Sequence, residues 1–271
     1  MELCFNRSWE LQFVLSRTQP YKFIILIDIF IFTNACFMKF KIECTDCVSH
    51  NCLVKKISSE SQLQTIISYK NQNFYKKGDY IFREGNTMMG IHFIHTGGVK
   101  VVTTNVNGRE QVVRLAADGN ILGHRVLGND KYYFNAIALM DTHVCFIQTS
   151  AFKDTCMNNP DFAYNLILFY ALELRRAELR VKYHAQMNIR EKVAEAFVYI
   201  NEVFGTNPKT KTLNIELSRK ELADIAGTTP EQVTRQLSDF EEEKYVCRKK
   251  REIQIISLDG LEKIVSDYKI D

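Results

Sequence analysis

Proline and glycine are scarce, with 4 and 12 in 271 residues. That scarcity excludes a collagen-like chain and a long disordered one. An excess of one charge is also missing. Lys and Arg number 35 against 32 Asp and Glu, a net +3. So small a balance neither proves nor excludes a nucleic-acid partner. No clean membrane span is present. The stretch 23–38 has thirteen apolar residues in sixteen, short of the roughly 20 that a span takes. Asp28 sits inside it, where a charge costs about 2.5–3.5 kcal/mol on insertion. No A-x-A-like site follows, so a signal peptide fits poorly as well. Neither a nucleophile–base pair nor a phosphate-binding loop argues for an enzyme. Eight cysteines are too few for a disulfide scaffold in a chain of this length.

What is present is an ordinary globular composition, 46% hydrophobic and 25% charged, long enough for about two domains. A composition break falls at Met38, which opens the polar run Met38-Lys39-Phe40-Lys41. Residues 1–37 read as an apolar leader, with Met38 as the expected true start. Residues 38–73 follow as a cysteine-containing segment.

From 74 to 157 the pattern is that of short strands. Runs such as Tyr80-Ile81-Phe82, Ile91 to His95, Val99 to Thr103 and Gln111 to Leu115 alternate with turn residues. Asn107-Gly108 is a hairpin signal. Seven or eight strands at near-regular spacing imply a barrel or sandwich. The order Lys77-Gly78-x-x-Ile81-Phe82-x-Glu84-Gly85, then Gly97-Gly98, then Gly119-Asn120-Ile121-Leu122-Gly123 resembles the cyclic-nucleotide-binding β-roll. In that family a Glu holds the ribose and an Arg-Ser pair holds the cyclic phosphate. Here His124 stands where the Glu would be, and Phe134-Asn135 where Arg-Ser would be. The resemblance therefore implies the roll without a cyclic nucleotide.

Residues 158–187 are expected to form one long helix. Phe162, Phe169, Leu172, Leu179 and Tyr183 make a partial 3.5-residue stripe, while Leu166, Ile167, Leu168 and Tyr170 make other faces apolar. A helix apolar on several faces needs several packing partners. The roll and a second subunit are the expected pair, which makes the protein a homodimer with the stripe as its seam.

Residues 188–271 carry the most informative stretch. Ser218 and Glu221 form a capping box opening a helix to Ala226, and Gly227 supplies a turn. Thr229 then caps a second helix, with Pro230 at its first position and Gln232 closing a second box. Two short helices on such a turn make a helix-turn-helix. Glu231, Gln232, Thr234 and Arg235 lie at the end that reaches base edges in the major groove. Arg248, Lys249 and Lys250 follow in a turn and strand, a natural wing for touching phosphate.

Roll, long helix and winged helix-turn-helix together resemble the CRP/FNR transcription regulators, over about Cys44 to Ile256. The fold class is thus α+β. The FNR branch reads DNA with a Glu, a Ser three positions on and an adjacent Arg. These fall on Glu231, Thr234 and Arg235, implying double-stranded DNA with TTGA-like half-sites. RNA polymerase is a further partner that the resemblance implies, and no membrane is expected.

Cys44, Cys47 and Cys52 form a C-x2-C-x4-C cluster. Three chemistries fit it: a [4Fe–4S] cluster, a zinc site that includes His50, or a redox dithiol of Cys44 and Cys47. The resemblance favours the first. Oxygen-sensing FNR proteins carry C-x2-C-x5-C and a fourth Cys at the end of the roll, a place that Cys145 takes here. The expected function is a transcription regulator that senses oxygen or redox state in the cytoplasm, where thiols stay reduced. Two alternatives remain open. One is a regulator of the same family sensing haem or a small anion in the roll, with His92, His95, His124 or His143 as the donors. The other is a metal-binding or redox interaction protein.

Overall fold

The computed structural model describes residues 44, 46, 47, 49, 52–57, 66–108, 110–126, 128 and 130–268. All belong to the compact unit Lys41–Asp271. The apolar stretch 23–38, the start at Met38 and the zinc candidate His50 lie outside the described residues.

A short helix α1 (Leu53–Ile57) precedes eight strands. These are β1 (Lys70–Tyr75), β2 (Tyr80–Phe82), β3 (Gly90–Thr96), β4 (Gly98–Thr104), β5 (Glu110–Ala117), β6 (Ile121–Leu122), β7 (Asn135–Ala138) and β8 (Thr142–Gln148). They form two antiparallel sheets, ordered β1-β8-β3-β6 and β2-β7-β4-β5. Ile91, Ile94, Ile121 and Val144 of one sheet share a core with Ile81, Phe82, Val99 and Ala136 of the other. The glycine punctuation has a steric cause at Gly97. Its φ is +119°, and a Cβ there would lie 2.4 Å from the Thr142 hydroxyl, so only glycine fits. Asn107-Gly108 lies in the β4–β5 connection, where the Gly108 N–H donates to the Asn105 carbonyl at 2.9 Å.

Helices α2 (Thr149–Asn158) and α3 (Pro160–Gln186) leave the roll. The Asn159 side chain caps α3 by accepting the Phe162 N–H at 3.0 Å, with Pro160 at the first position. Next come α4 (Ile189–Phe204), α5 (Arg219–Ala226), α6 (Pro230–Glu242), the hairpin β9 (Val246–Lys249) and β10 (Glu252–Ile255), and α7 (Leu258–Ile264). A capping box of Asn188 and Glu191 starts α4, a further local signal in the sequence.

One core runs through both regions. Val102, Val112, Leu115, Ile137 and Leu139 of the roll cluster with Phe197, Ile200, Leu222, Ile225, Leu237 and Phe240 of the winged helix. Strand β5 is a sheet edge, which leaves backbone groups to be paired. The Leu115 N–H is paired by donating to the Tyr199 hydroxyl of α4 at 2.8 Å.

The expected seam on α3 requires correction at Phe162. Phe162 is buried in the core of its own roll and stacks edge-on against Phe152. Phe169, Leu179 and Tyr183 are half-buried, Phe169 against His124 and Tyr183 against Tyr268. Of the five, Leu172 alone is exposed. The solvent-facing stripe is instead Tyr164, Ile167, Ala171, Leu174, Glu178 and Val181. It lies two positions further on, about 200° around a helix of 3.6 residues per turn. The roll takes the face that carries Phe162 and Leu166, and the free face is the opposite one.

Candidate DNA interface and cysteine pocket

The helix-turn-helix forms for local reasons. Ser218 accepts the Glu221 N–H at 3.2 Å, and the Glu221 carboxylate accepts the Ser218 N–H at 2.7 Å. Gly227 takes the left-handed conformation, φ 63° and ψ 36°, that ends α5. The Thr229 hydroxyl accepts the Gln232 N–H at 3.4 Å, but the Gln232 side chain does not complete a capping box at α6. The second box is therefore closed on one side only.

Val233, Leu237 and Phe240 turn inward and are buried. Glu231, Thr234 and Arg235 are exposed together on the opposite side, with Gln232 half-buried. A backbone N–H of the helix start and the Thr229 hydroxyl hold the Glu231 carboxyl below its ordinary range. The Thr234 hydroxyl donates back to the Pro230 carbonyl at 2.8 Å. An exposed carboxylate and guanidinium one helical turn apart present an acceptor to a cytosine amino group and a donor fork to guanine.

Arg248 differs from its expected place on the wing. Its Nε donates to Glu241 at 2.6 Å and its backbone N–H to the same carboxylate at 2.8 Å. The side chain is thus spent inside the domain, fastening β9 to α6. Lys249 and Lys250 remain exposed at the hairpin tip.

The four cysteines singled out from the sequence come together. Cys44, Cys47, Cys52 and Cys145 line one cavity of about 30 Å³. Strand register explains half of the site. Gln72 of β1 and Phe93 of β3 both pair with Cys145, while Lys70 and Ile91 pair with Ile147. Paired residues share a face, so Lys70, Gln72, Phe93, Cys145 and Ile147 look out from one side of the sheet. His95, two residues beyond Phe93 on β3, stands on the same face and lines the same cavity. Cys44, Cys47, Ser49, Cys52, Val54 and Lys55 line the other side, with the Lys55 ammonium donating to the Cys47 carbonyl at 2.8 Å.

Three sulfurs meet nitrogen groups: Cys44 with Lys70 Nζ at 3.4 Å, Cys47 with His95 Nδ1 at 3.4 Å and Cys145 with Gln72 Nε2 at 3.5 Å. Burial pushes the Cys145 thiol up to about 11 and raises Cys52 as well, so both hold their protons until a metal displaces them. The described cysteines are all free of disulfide bonds. Among the described residues no three His, Cys, Asp or Glu converge tightly enough to hold one metal ion. Sequence reasoning missed Lys70 and Gln72, whose only signal is their register on β1 beside β8, and named His95 only as a haem candidate.

Within the roll, His124 and Phe134 border a cavity of about 20 Å³ with Phe82, Val101, Arg114 and Arg125. Pockets that enclose a small-molecule ligand run to about 300–1,000 Å³. Haem at His124 requires this packing to open, and a metal cluster requires the same of the cysteine cavity of about 30 Å³.

Comparison with known proteins agrees with this architecture. Residues 72–159 match the model of the cyclic nucleotide-binding domain, and residues 191–264 that of the Crp-like helix-turn-helix domain. The transcriptional activator protein Anr of Pseudomonas protegens is 20% identical over 216 residues, 79% of this chain and 88% of Anr. The fumarate and nitrate reduction regulatory protein of Salmonella typhimurium is 24% identical over 227 residues, 81% of this chain and 89% of that protein. The solved structure of FixK2 from Bradyrhizobium japonicum superposes with a TM-score of 0.65 at 21% identity, covering 72% of this chain and 96% of FixK2. A β-roll joined through a long helix to a winged helix-turn-helix defines a DNA-binding transcription regulator. The chain belongs to the CRP/FNR family.

Members of that family bind DNA and act as dimers. The matching families are not enzymatic. Among the described residues no helix is long and apolar enough to cross a membrane.

Proposed function

We propose that this protein is an oxygen- or redox-responsive regulator whose Cys44, Cys47, Cys52 and Cys145 ligate one [4Fe–4S] cluster. The observation that carries the reading is the shared cavity. Three thiols of one segment and a fourth from β8, about ninety residues away in sequence, line the same space. The described lining adds Lys55, Lys70 and His95 and no carboxylate, a chemistry suited to an anionic thiolate assembly. Four thiolates on such a cluster need not meet at one point, since each holds a different iron. When bound, the cluster supplies an oxygen-sensitive redox centre.

The cysteines tie residues 44–57 to β8, and β8 runs directly into α2 and then α3. That gives a contiguous route from the pocket to the helix with the exposed stripe. In this reading Tyr164, Ile167, Leu174 and Val181 form the dimer seam, and loss of the cluster favours monomers that bind DNA poorly. Glu231 and Arg235 read TTGA-like half-sites, and Lys249 and Lys250 meet phosphate. Contact with RNA polymerase and a cytoplasmic setting complete the reading and rest on the family likeness.

The test is anaerobic purification with iron and acid-labile sulfide analysis. About four of each per chain are expected for one cluster, with DNA affinity falling after exposure to air. Stoichiometric zinc without sulfide would replace the cluster with a structural metal. Neither metal, with DNA binding unchanged in air, overturns the sensor and leaves the regulator.

A further inference from the structure

Lys70 is an unusual residue for its position. It opens β1 on the face that looks into the cysteine pocket, and it is only 8% exposed. Lysine is almost never buried to this degree unless its charge is answered. Its ammonium donates to the Cys44 sulfur at 3.4 Å and also acts electrostatically on Cys145. Lys55 lines the same cavity, but its ammonium is turned to the Cys47 carbonyl. Other sulfurs meet the Gln72 amide and the His95 ring, and Cys52 meets the backbone N–H groups of Val54 and Lys55. Among the described residues Lys70 is therefore the cation aimed at the sulfurs themselves.

We propose that Lys70 is the charge-compensating residue of the cysteine site, fixing Cys44 and neutralising part of the negative charge that the ligated thiolates bring into the sheet face. The inference rests on the cluster reading above and adds to it the residue that makes a buried anion tolerable. Four thiolates outweigh the positive charge of the iron–sulfide core, so the assembly is a net anion in an apolar pocket. A buried anion without a nearby cation is strongly unfavourable. Lys70 is a positioning residue in this role, since it acts through the sulfurs rather than by ligation.

The experiment uses the full chain, reconstituted without air, with an iron chelator added and the visible absorption followed. Lys70→Met keeps most of the apolar stem and removes the charge. Lys70→Arg keeps the charge. The methionine variant is expected to lose its iron about 10–100-fold faster than wild type, the range that outer-shell partners of metal ligands carry. The arginine variant is expected to return close to the wild-type rate. Thermal melting of the metal-free forms is measured beside this, and all three are expected to melt alike. Lys70→Gln stands in if the methionine variant does not fold.

Wild-type chelator resistance in the methionine or glutamine variant overturns the proposal. So does equal destabilisation of the metal-free and loaded forms without rescue by arginine, which would reduce Lys70 to packing. Absence of iron and sulfide from the wild type itself is a different result, seen before any variant is made. It removes the cluster reading and this inference with it.

Discussion

Glu173 on α3 accepts the Arg114 Nε of β5 at 3.2 Å and an Arg125 nitrogen at 3.4 Å. Arg114 also donates to the Ile121 carbonyl at 2.6 Å. Both partners of the Arg114–Glu173 pair are largely buried. This pair fastens α3 to β5 of the roll. Glu173→Gln should cost about 3–5 kcal/mol, the penalty for leaving a buried charge with its partner removed. Urea unfolding of the variant against wild type measures it, and a drop of less than about 1 kcal/mol, well under that penalty, would show that the guanidinium finds water instead.

The proposed dimer seam is the exposed stripe of α3. Ile167→Glu or Leu174→Glu places charge on the exposed apolar stripe and should give monomers in sedimentation, with the fold retained by circular dichroism. Phe162→Ala should act differently. It empties a core site of the roll and should cost about 3–5 kcal/mol of stability. Dimers that survive both glutamate changes would place the interface off α3.

The DNA face makes two separable predictions. Arg235→Ala should cost about 1–3 kcal/mol on the specific site, with a much smaller effect on random DNA, as expected for a bidentate base contact. Replacing Lys249 and Lys250 by Ala should weaken binding to all sequences alike and lower the salt slope by about 0.9 for each phosphate no longer neutralised. Fluorescence anisotropy across a salt series reads both. Equal weakening on both DNAs for Arg235→Ala would reassign that residue to phosphate.

Two buried imidazoles set an acid limit. Burial, with Arg114 and Arg125 alongside, holds His124 down to about 2, and burial alone holds His92 down to about 4. The unfolded chain takes up these protons near 6.5, while the folded chain does not. Their contribution is therefore intact above pH 6.5 and declines as the pH falls below it, down to about 4 for His92 and about 2 for His124. At about pH 5 the decline is about 2 kcal/mol for each histidine. The gap between the unfolding free energies at about pH 7 and about pH 5 should narrow by about 2 kcal/mol in His92→Phe and likewise in His124→Phe. An unchanged acid slope in either variant removes that histidine from the account.

Much of this architecture was already legible in the chain. Ser218, Glu221, Gly227 and Thr229 act within a few residues of themselves, through caps and one left-handed turn, and such local chemistry survives translation from sequence to structure. The strands were readable for a similar reason, since short β-branched and aromatic runs and glycine turns are local patterns. C-x2-C-x4-C was visible, and Cys145 was reached through the family resemblance.

Tertiary structure alone decided three things. The stripe of α3 that faces solvent depended on Phe162 entering the roll, because periodicity locates apolar faces but does not say which one a neighbouring sheet covers. The fate of Arg248 depended on Glu241 lying within reach across the β9–α6 packing. The surroundings of the cysteines depended on register, which places Lys70 two residues from Gln72 on the same face of β1 and sets both beside Cys145 of β8. Sequence orders these groups along the chain, but only strand pairing fixes which side chains stand opposite one another.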